Sequence, residues 1–259
     1  MAETTPFTFE SVTMGTFALI AAVAVFGAII SGMSGFGGGL IIAAFLAPII
    51  GVRALVPALG VIMLLNNASR LWFYRKALDF RTAKLVVACA APTAVLGAIL
   101  YVELNVTVIT AVLGCVMIGS VPLRRALEHR EIRFNKPGLA VFGGVFGFLN
   151  ATMVGTGLLV VPVLMGAGLL SQTLLATDAA IAIGVNIVKA VVFGSYGVLT
   201  AELALAAVVV GFCTVPGSWI AAWIVRRTEV RIHTVLMEGL IVIGGLSFFW
   251  RFGRLMGWY

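Results

Sequence analysis

Two tetrads, Asn67-x-x-Arg70 and Asn186-x-x-Lys189, each set an amide and a cation three residues apart within a long apolar run. On a helix, positions at that spacing are neighbours on one face, so an amide donor and a positive charge could address one oxyanion together. Lys189 lies well inside its run, with Ile187-Val188 before it and Ala190-Val191-Val192-Phe193 behind. A charge at membrane depth costs about 2.5–3.5 kcal/mol and by default marks a pathway or site; the alternative is a long stem carrying the ammonium to water. Arg70 sits about a turn before Arg75 and Lys76, so a snorkelling anchor weighs as much there as a substrate role. The two asparagines are open equally to hydrogen bonding between helices. Asp178 precedes Lys189 by about three helical turns, on nearly the same face. It is a candidate for proton or cation coupling, although a first-turn acid at a helix N-terminus is the favoured reading. Glu238 is a second buried acid, with structural pairing favoured over coupling.

Glycine-rich interruptions accompany these tetrads. Ser31-Gly32-Met33-Ser34-Gly35-Phe36-Gly37-Gly38-Gly39-Leu40 breaks one apolar run, and Asn150-Ala151-Thr152-Met153-Val154-Gly155-Thr156-Gly157-Leu158 breaks another. The apolar arms that follow are short: 38–50 and 158–170 would cover only about 20 Å each as helices, against a hydrocarbon core of about 30 Å. Half-helices or re-entrant arms would turn unpaired N–H groups and positive dipole ends towards the membrane interior, where an anion can bind. Ser34, Gly37, Gly38, Gly39, Thr152, Gly155, Thr156 and Gly157 are therefore candidates for substrate binding beside Asn67, Arg70, Asn186 and Lys189. Gly35-x-x-x-Gly39 is also a small-residue helix-packing pattern.

The elements that must position these groups are membrane helices. Hydrophobic residues make up 61% of the 259-residue chain and charged ones only 10%, a composition outside that of soluble domains. Apolar runs of spanning length indicate an all-α integral membrane protein and exclude a β-barrel pattern. Such runs are expected at 14–33, 54–74, 85–102, 106–123, 139–149, 173–198, 201–225 and 232–250, giving about eight to ten membrane segments with the arms. The net charge of +7 resides in three loops, around 75–84, 124–136 and 226–231, as cytoplasmic loops of a membrane protein require and nucleic-acid binding does not. Cys89, Cys115 and Cys213 lack paired metal-ligand spacing and are expected as small core residues. No histidine cluster or triad points to a metal site or catalysis, and no cofactor is expected.

Internal matches suggest duplication. Gly39-Leu40 answers Gly157-Leu158, Asn67-x-x-Arg70 answers Asn186-x-x-Lys189, and Cys89-x-x-Pro92 answers Cys213-x-x-Pro216, at spacings of 118, 119 and 124 residues. The expected organisation is an extracytoplasmic segment 1–13, a first membrane repeat 14–123, a basic cytoplasmic linker 124–137, a second repeat 138–252 and a C-terminal segment 253–259. The acidic N-terminus and basic loops place both termini outside and start the two halves from opposite sides, so the repeats are inverted.

The run Gly32-x-x-Gly35-x-Gly37-Gly38-Gly39-Leu40 with its arm ending near Pro48, the second arm Gly155-x-Gly157-Leu158-x-x-x-Pro162, and a long helix ending near Tyr196-Gly197 resemble the sulfite exporter TauE/SafE family of membrane transporters. The resemblance runs from about Phe26 to Trp250. It implies a secondary transporter in the bacterial inner membrane that moves small sulfur-containing anions such as sulfoacetate, other organosulfonates or sulfite, commonly outward. Ala44 stands where the second arm has Pro162, so the two copies are not equivalent. Alternating access between the halves is the expected mechanism. An anion or solute channel using the same breaks as a filter is the alternative, and a membrane-bound assembly partner is a third reading. No sequence feature speaks to oligomeric state.

Overall fold

The computed structural model describes residues 13–128, 133–225, 250 and 253. These form nine helices among the described residues: α1 (Met14–Ser34), α2 (Gly38–Ile50), α3 (Val52–Tyr74), α4 (Phe80–Glu103), α5 (Val106–Glu128), α6 (Lys136–Thr152), α7 (Gly157–Gly166), α8 (Ser171–Ser195) and α9 (Ala201–Val225). A 3-10 turn, Arg75–Ala77, closes α3, and the described residues contain no strand. Eight to ten membrane segments are expected; among the described residues five helices are long and apolar enough to cross a membrane: α1, α3 with its 3-10 turn, α4, α8 and α9. The expected span 232–250 and Glu238 lie outside the described residues, Trp250 excepted. α5 continues to Glu128 and α6 starts at Lys136.

The bundle is apolar on its outside and polar at its centre. Trp72, Phe80, Leu96, Val141, Phe212 and Trp219 are exposed, whereas Asn66, Arg70, Thr177, Asp178, Asn186 and Lys189 are buried. That distribution is stable only where hydrocarbon replaces water around the bundle. Of the cysteines expected in the core, Cys115 is exposed on α5, and Cys89 and Cys213 are half-buried; all three are free.

Helix packing follows small residues. α4 lies along α6 and α1 along α9. A side chain at Gly147 would meet Ala90 O at 2.1 Å, and one at Gly217 would meet Val25 O at 2.3 Å, so backbones touch at both crossings. α3 and α8 cross at the centre; α3 also packs on α9, and α8 on α4. Pro57 removes the N–H that would have bonded Arg53 O. The Tyr101 hydroxyl donates to that carbonyl at 3.2 Å and to Val52 O at 3.1 Å, which satisfies a backbone group that lipid could not.

Candidate functional site

Both glycine stretches break the helical backbone, and they do so alike. α1 stops at Ser34 and α2 starts at Gly38; α6 stops at Thr152 and α7 starts at Gly157. Gly37 and Gly155, 118 residues apart, have φ values of 89° and 90°, the left-handed region that glycine enters without a Cβ penalty. Just before each break a hydroxyl bonds back onto its own helix: Ser34 Oγ donates to Ile30 O at 2.7 Å and Thr152 Oγ1 to Phe148 O at 3.1 Å. The arms are short, 13 residues in α2 and 10 in α7. α7 ends earlier than the sequence pattern indicates, turning at Ala167-Gly168, with Leu169 N donating to Leu164 O at 3.0 Å. The breaks also pack on each other. Gly35 faces Val161 of α7, and Gly155 faces Leu40 of α2.

A cavity of about 90 Å³ lies between the breaks and the central helices α3 and α8. Its wall takes in Gly37, Gly39, Gly155, Thr156 and Gly157 from the breaks, Asn67 and Arg70 from α3, and Asp178, Asn186 and Lys189 from α8. Three candidates from the sequence stand off it. Ser34 and Thr152 spend their hydroxyls on helix ends, and Gly38 lies against α1, where a Cβ would meet Gly27 O at 2.3 Å. The glycine stretch thus divides its labour: Gly38 permits the α1–α2 contact while Gly37 and Gly39 face the cavity.

Each cation covers the carbonyl end of the helix entering a break. Arg70 Nη1 donates to Ser31 O and to Gly35 O, both at 3.1 Å, and Lys189 Nζ donates to Asn150 O at 3.2 Å. Positive charge at a helix C-terminus satisfies orphan carbonyls and opposes the negative dipole end. Arg70 is therefore not a snorkelling anchor. It is buried, with its guanidinium fixed by α1 and, through Nη2, by the carboxylate of Asp178. Asp178 in turn is not a first-turn acid: it is the eighth residue of α8, buried, and ion-paired across 108 positions of sequence. Next to it, Thr177 Oγ1 accepts from the backbone N–H of Asp79 at 3.2 Å, tying the α3–α4 turn to α8. Among the described residues Lys189 has no carboxylate within ion-pair reach.

The departing helices carry no side-chain cap at their N-termini. In α7 the Leu158 and Leu159 N–H groups bond Gly155 O and Thr156 O at 3.2 and 3.0 Å, so the bare donors are chiefly those that open α2, while both positive dipole ends lie at the breaks. Asn67 is 6% exposed and Asn186 3%, and neither side-chain amide has a hydrogen-bond partner among the described residues. Two amides without protein partners, on the wall of one cavity, are free to bond an occupant. Asn66, one residue away, shows the contrast. It accepts from Ser218 Oγ of α9 at 3.1 Å and its amide reaches Ser31 Oγ of α1 at 3.5 Å. Sequence reasoning also passed over Asn150 as a site residue; its amide donates to Thr156 Oγ1 at 2.7 Å and bridges the second break. Its amide, at the start of an interruption whose other polar side chains are the hydroxyls of Thr152 and Thr156, was the available signal.

Among the described residues no group of three or more histidine, cysteine or acidic side chains could hold a metal. The donors that face the cavity suit an oxygen-rich anion: amide N–H, backbone N–H and cations.

No curated protein and no solved structure gives a significant match to the chain. The family model described as Sulfite exporter TauE/SafE matches residues 19–248, most of the chain including both breaks and both tetrads, and the protein belongs to that family of membrane transporters.

Proposed function

We propose that the protein is a secondary transporter of small sulfur-containing anions, with sulfite, sulfoacetate or another organosulfonate held in the cavity between the two breaks. The observation that carries this reading is the pair of uncommitted buried amides, Asn67 and Asn186, beside two uncapped helix N-termini. In the bound state the amides orient anion oxygens, the N-termini of α2 and α7 donate backbone N–H groups, and Lys189 balances charge. The cavity's size admits one small oxyanion stripped of bulk water.

Alternating access fits the packing. Exchanging α1 with α6, α2 with α7, α3 with α8 and α4 with α9 converts the α1–α9 contact into α6–α4 and the α3–α9 contact into α8–α4, and maps the α3–α8 crossing onto itself. This supports two inverted repeats rocking about a central site, with the basic α3–α4 turn in the cytoplasm, the N-terminus outside and export as the net direction. The inner membrane of a bacterial cell is the setting this reading implies.

Flux of labelled sulfite and organosulfonates into proteoliposomes tests the proposal. Saturable uptake above that of empty vesicles, without unitary currents in planar bilayers, is expected. Uptake equal to empty vesicles for the whole ligand class refutes it, and sustained single-channel currents would replace the carrier with a pore.

A further inference from the structure

Resting on that reading of the site, we infer that the cavity is matched to a monovalent anion and that a divalent one binds only together with a proton taken up by Asp178. Among the described residues the ionisable groups on the cavity wall are Arg70, Asp178 and Lys189. Arg70 and Asp178 are ion-paired. Lys189 rests on a neutral carbonyl, so the wall carries one positive charge in excess. The helix ends add no net charge of their own, since each break sets one C-terminus against one N-terminus. A monovalent anion brings this enclosed site to neutrality. A divalent anion leaves one negative charge unbalanced away from water, which is costly in a buried setting.

Asp178 is the group that can correct the imbalance. A proton from solvent converts its carboxylate to the neutral acid, and the Arg70 guanidinium is left as the second positive charge facing the anion. Among the described residues the remaining charges on elements packed against α8 stand apart from this exchange. Arg53 and Glu103 lie at the far ends of α3 and α4; Arg75, Lys76, Asp79, Arg81 and Lys84 lie in or beside the α3–α4 turn; Lys136 begins α6. Among the described residues only Arg70 pairs with Asp178.

Methanesulfonate and sulfate test the inference, being close in size and shape, with fixed charges of one and two between mildly acidic and neutral pH. Binding to the purified full-length protein is read by titration calorimetry in two buffers of different ionisation enthalpy, which counts protons. Methanesulfonate should take up about one proton fewer than sulfate and depend less on pH. Sulfate should bind roughly 10- to 100-fold more weakly at neutral pH, from one unbalanced charge at an effective dielectric near 20, and gain about tenfold more per pH unit on acidification than methanesulfonate, with about one more proton taken up. In Asp178→Asn, which keeps an acceptor oxygen for Arg70, sulfate should come within about tenfold of methanesulfonate and the extra proton should vanish. Lys189→Gln provides a second arm: it removes the excess charge and should weaken methanesulfonate by at least about tenfold. Sulfate binding as tight as methanesulfonate with no proton uptake beyond that of methanesulfonate overturns the inference, as does unchanged methanesulfonate affinity in Lys189→Gln. Absent flux of every small sulfur anion would instead remove the transport reading itself, and this inference with it.

Discussion

Replacing either Asn67 or Asn186 by leucine should uncouple stability from transport, and the neighbouring Asn66 supplies the control. Asn67 and Asn186 are buried without side-chain hydrogen bonds. A buried polar group left unsatisfied costs about 1–3 kcal/mol, and water in the cavity offsets part of that. Leucine has a similar reach and no polar atom, so Asn67→Leu and Asn186→Leu should leave the detergent-solubilised protein as stable as wild type, or up to about 1 kcal/mol more stable. Asn66 is 1% exposed and ties α3 to both α1 and α9. Bonds of this kind in membrane bundles average about 0.6 kcal/mol and reach about 1.7, so Asn66→Leu should destabilise by about 1 kcal/mol. Transport should sort the other way. A hydrogen bond to a charged partner contributes about 1.5–3 kcal/mol, so each cavity variant should raise the half-saturation concentration for a labelled sulfonate about 10- to 100-fold, while Asn66→Leu stays within a few-fold of wild type. Thermal melts and proteoliposome uptake on the same preparations decide it. If Asn67→Leu and Asn186→Leu melt as early as Asn66→Leu and carry anion normally, the amides are structural and the site assignment fails.

The Arg70–Asp178 pair invites a double-mutant cycle: Arg70→Met and Asp178→Leu singly should each cost about 3–5 kcal/mol, because each strands a buried charge, whereas the double variant should recover most of that loss in a detergent melt. Simple addition of the two losses would mean the ions do not compensate each other. Gly147→Ala and Gly217→Ala should each lower stability by about 1–3 kcal/mol, since the new methyl would meet backbone oxygen at 2.1 and 2.3 Å, while Gly194→Ala, with nothing within 4 Å, should be neutral or better in the same melt. Asp79 caps α4, accepting from Arg81 N, Thr82 N and the Thr82 hydroxyl, and the hydroxyl bond above all holds its carboxyl below the ordinary range. Asp79→Ala should cost about 1 kcal/mol at neutral pH. Because the folded value is depressed, that contribution is complete above the ordinary carboxylate range and fades as pH falls through the folded value, so wild type and variant should converge in acid when melts are compared across pH.

Much of the fold was legible because polar residues and glycine are rare at membrane depth, so each one stands out. The two breaks and the first short arm lie where the sequence pattern places them, while the second arm, α7, stops sooner. What the pattern could not give was rotation. α3 is apolar on nearly every side, so nothing in its composition says that Asn67 faces the cavity while Asn66, about 100° around the helix, faces α1 and α9. The same blindness applied within Gly37-Gly38-Gly39, where successive residues point to the cavity, to α1 and to the cavity again. Arg70 misled for another reason. Its sequence neighbours Arg75 and Lys76 belong to the membrane edge, but the partners that hold it, Ser31, Gly35 and Asp178, come from distant parts of the chain.

The arrangement of charge also restricts what the cavity can hold. A helix broken inside a membrane exposes carbonyls on one side of the break and N–H groups on the other. Here the chain covers the carbonyls itself, with Arg70 on α1 and Lys189 on α6, and leaves the N-termini of α2 and α7 without side-chain caps. A cationic substrate would need those carbonyls, and they are occupied by fixed cations that would also repel it. What is left uncovered includes donors: backbone N–H groups at the helix starts and the NH2 groups of Asn67 and Asn186, alongside the amide oxygens of these residues and of Asn150. An acceptor carrying negative charge completes the donors best. The reason for placing a cation beside each break is then double. It repairs the incoming helix, and by doing so it leaves positive charge in excess beside each break.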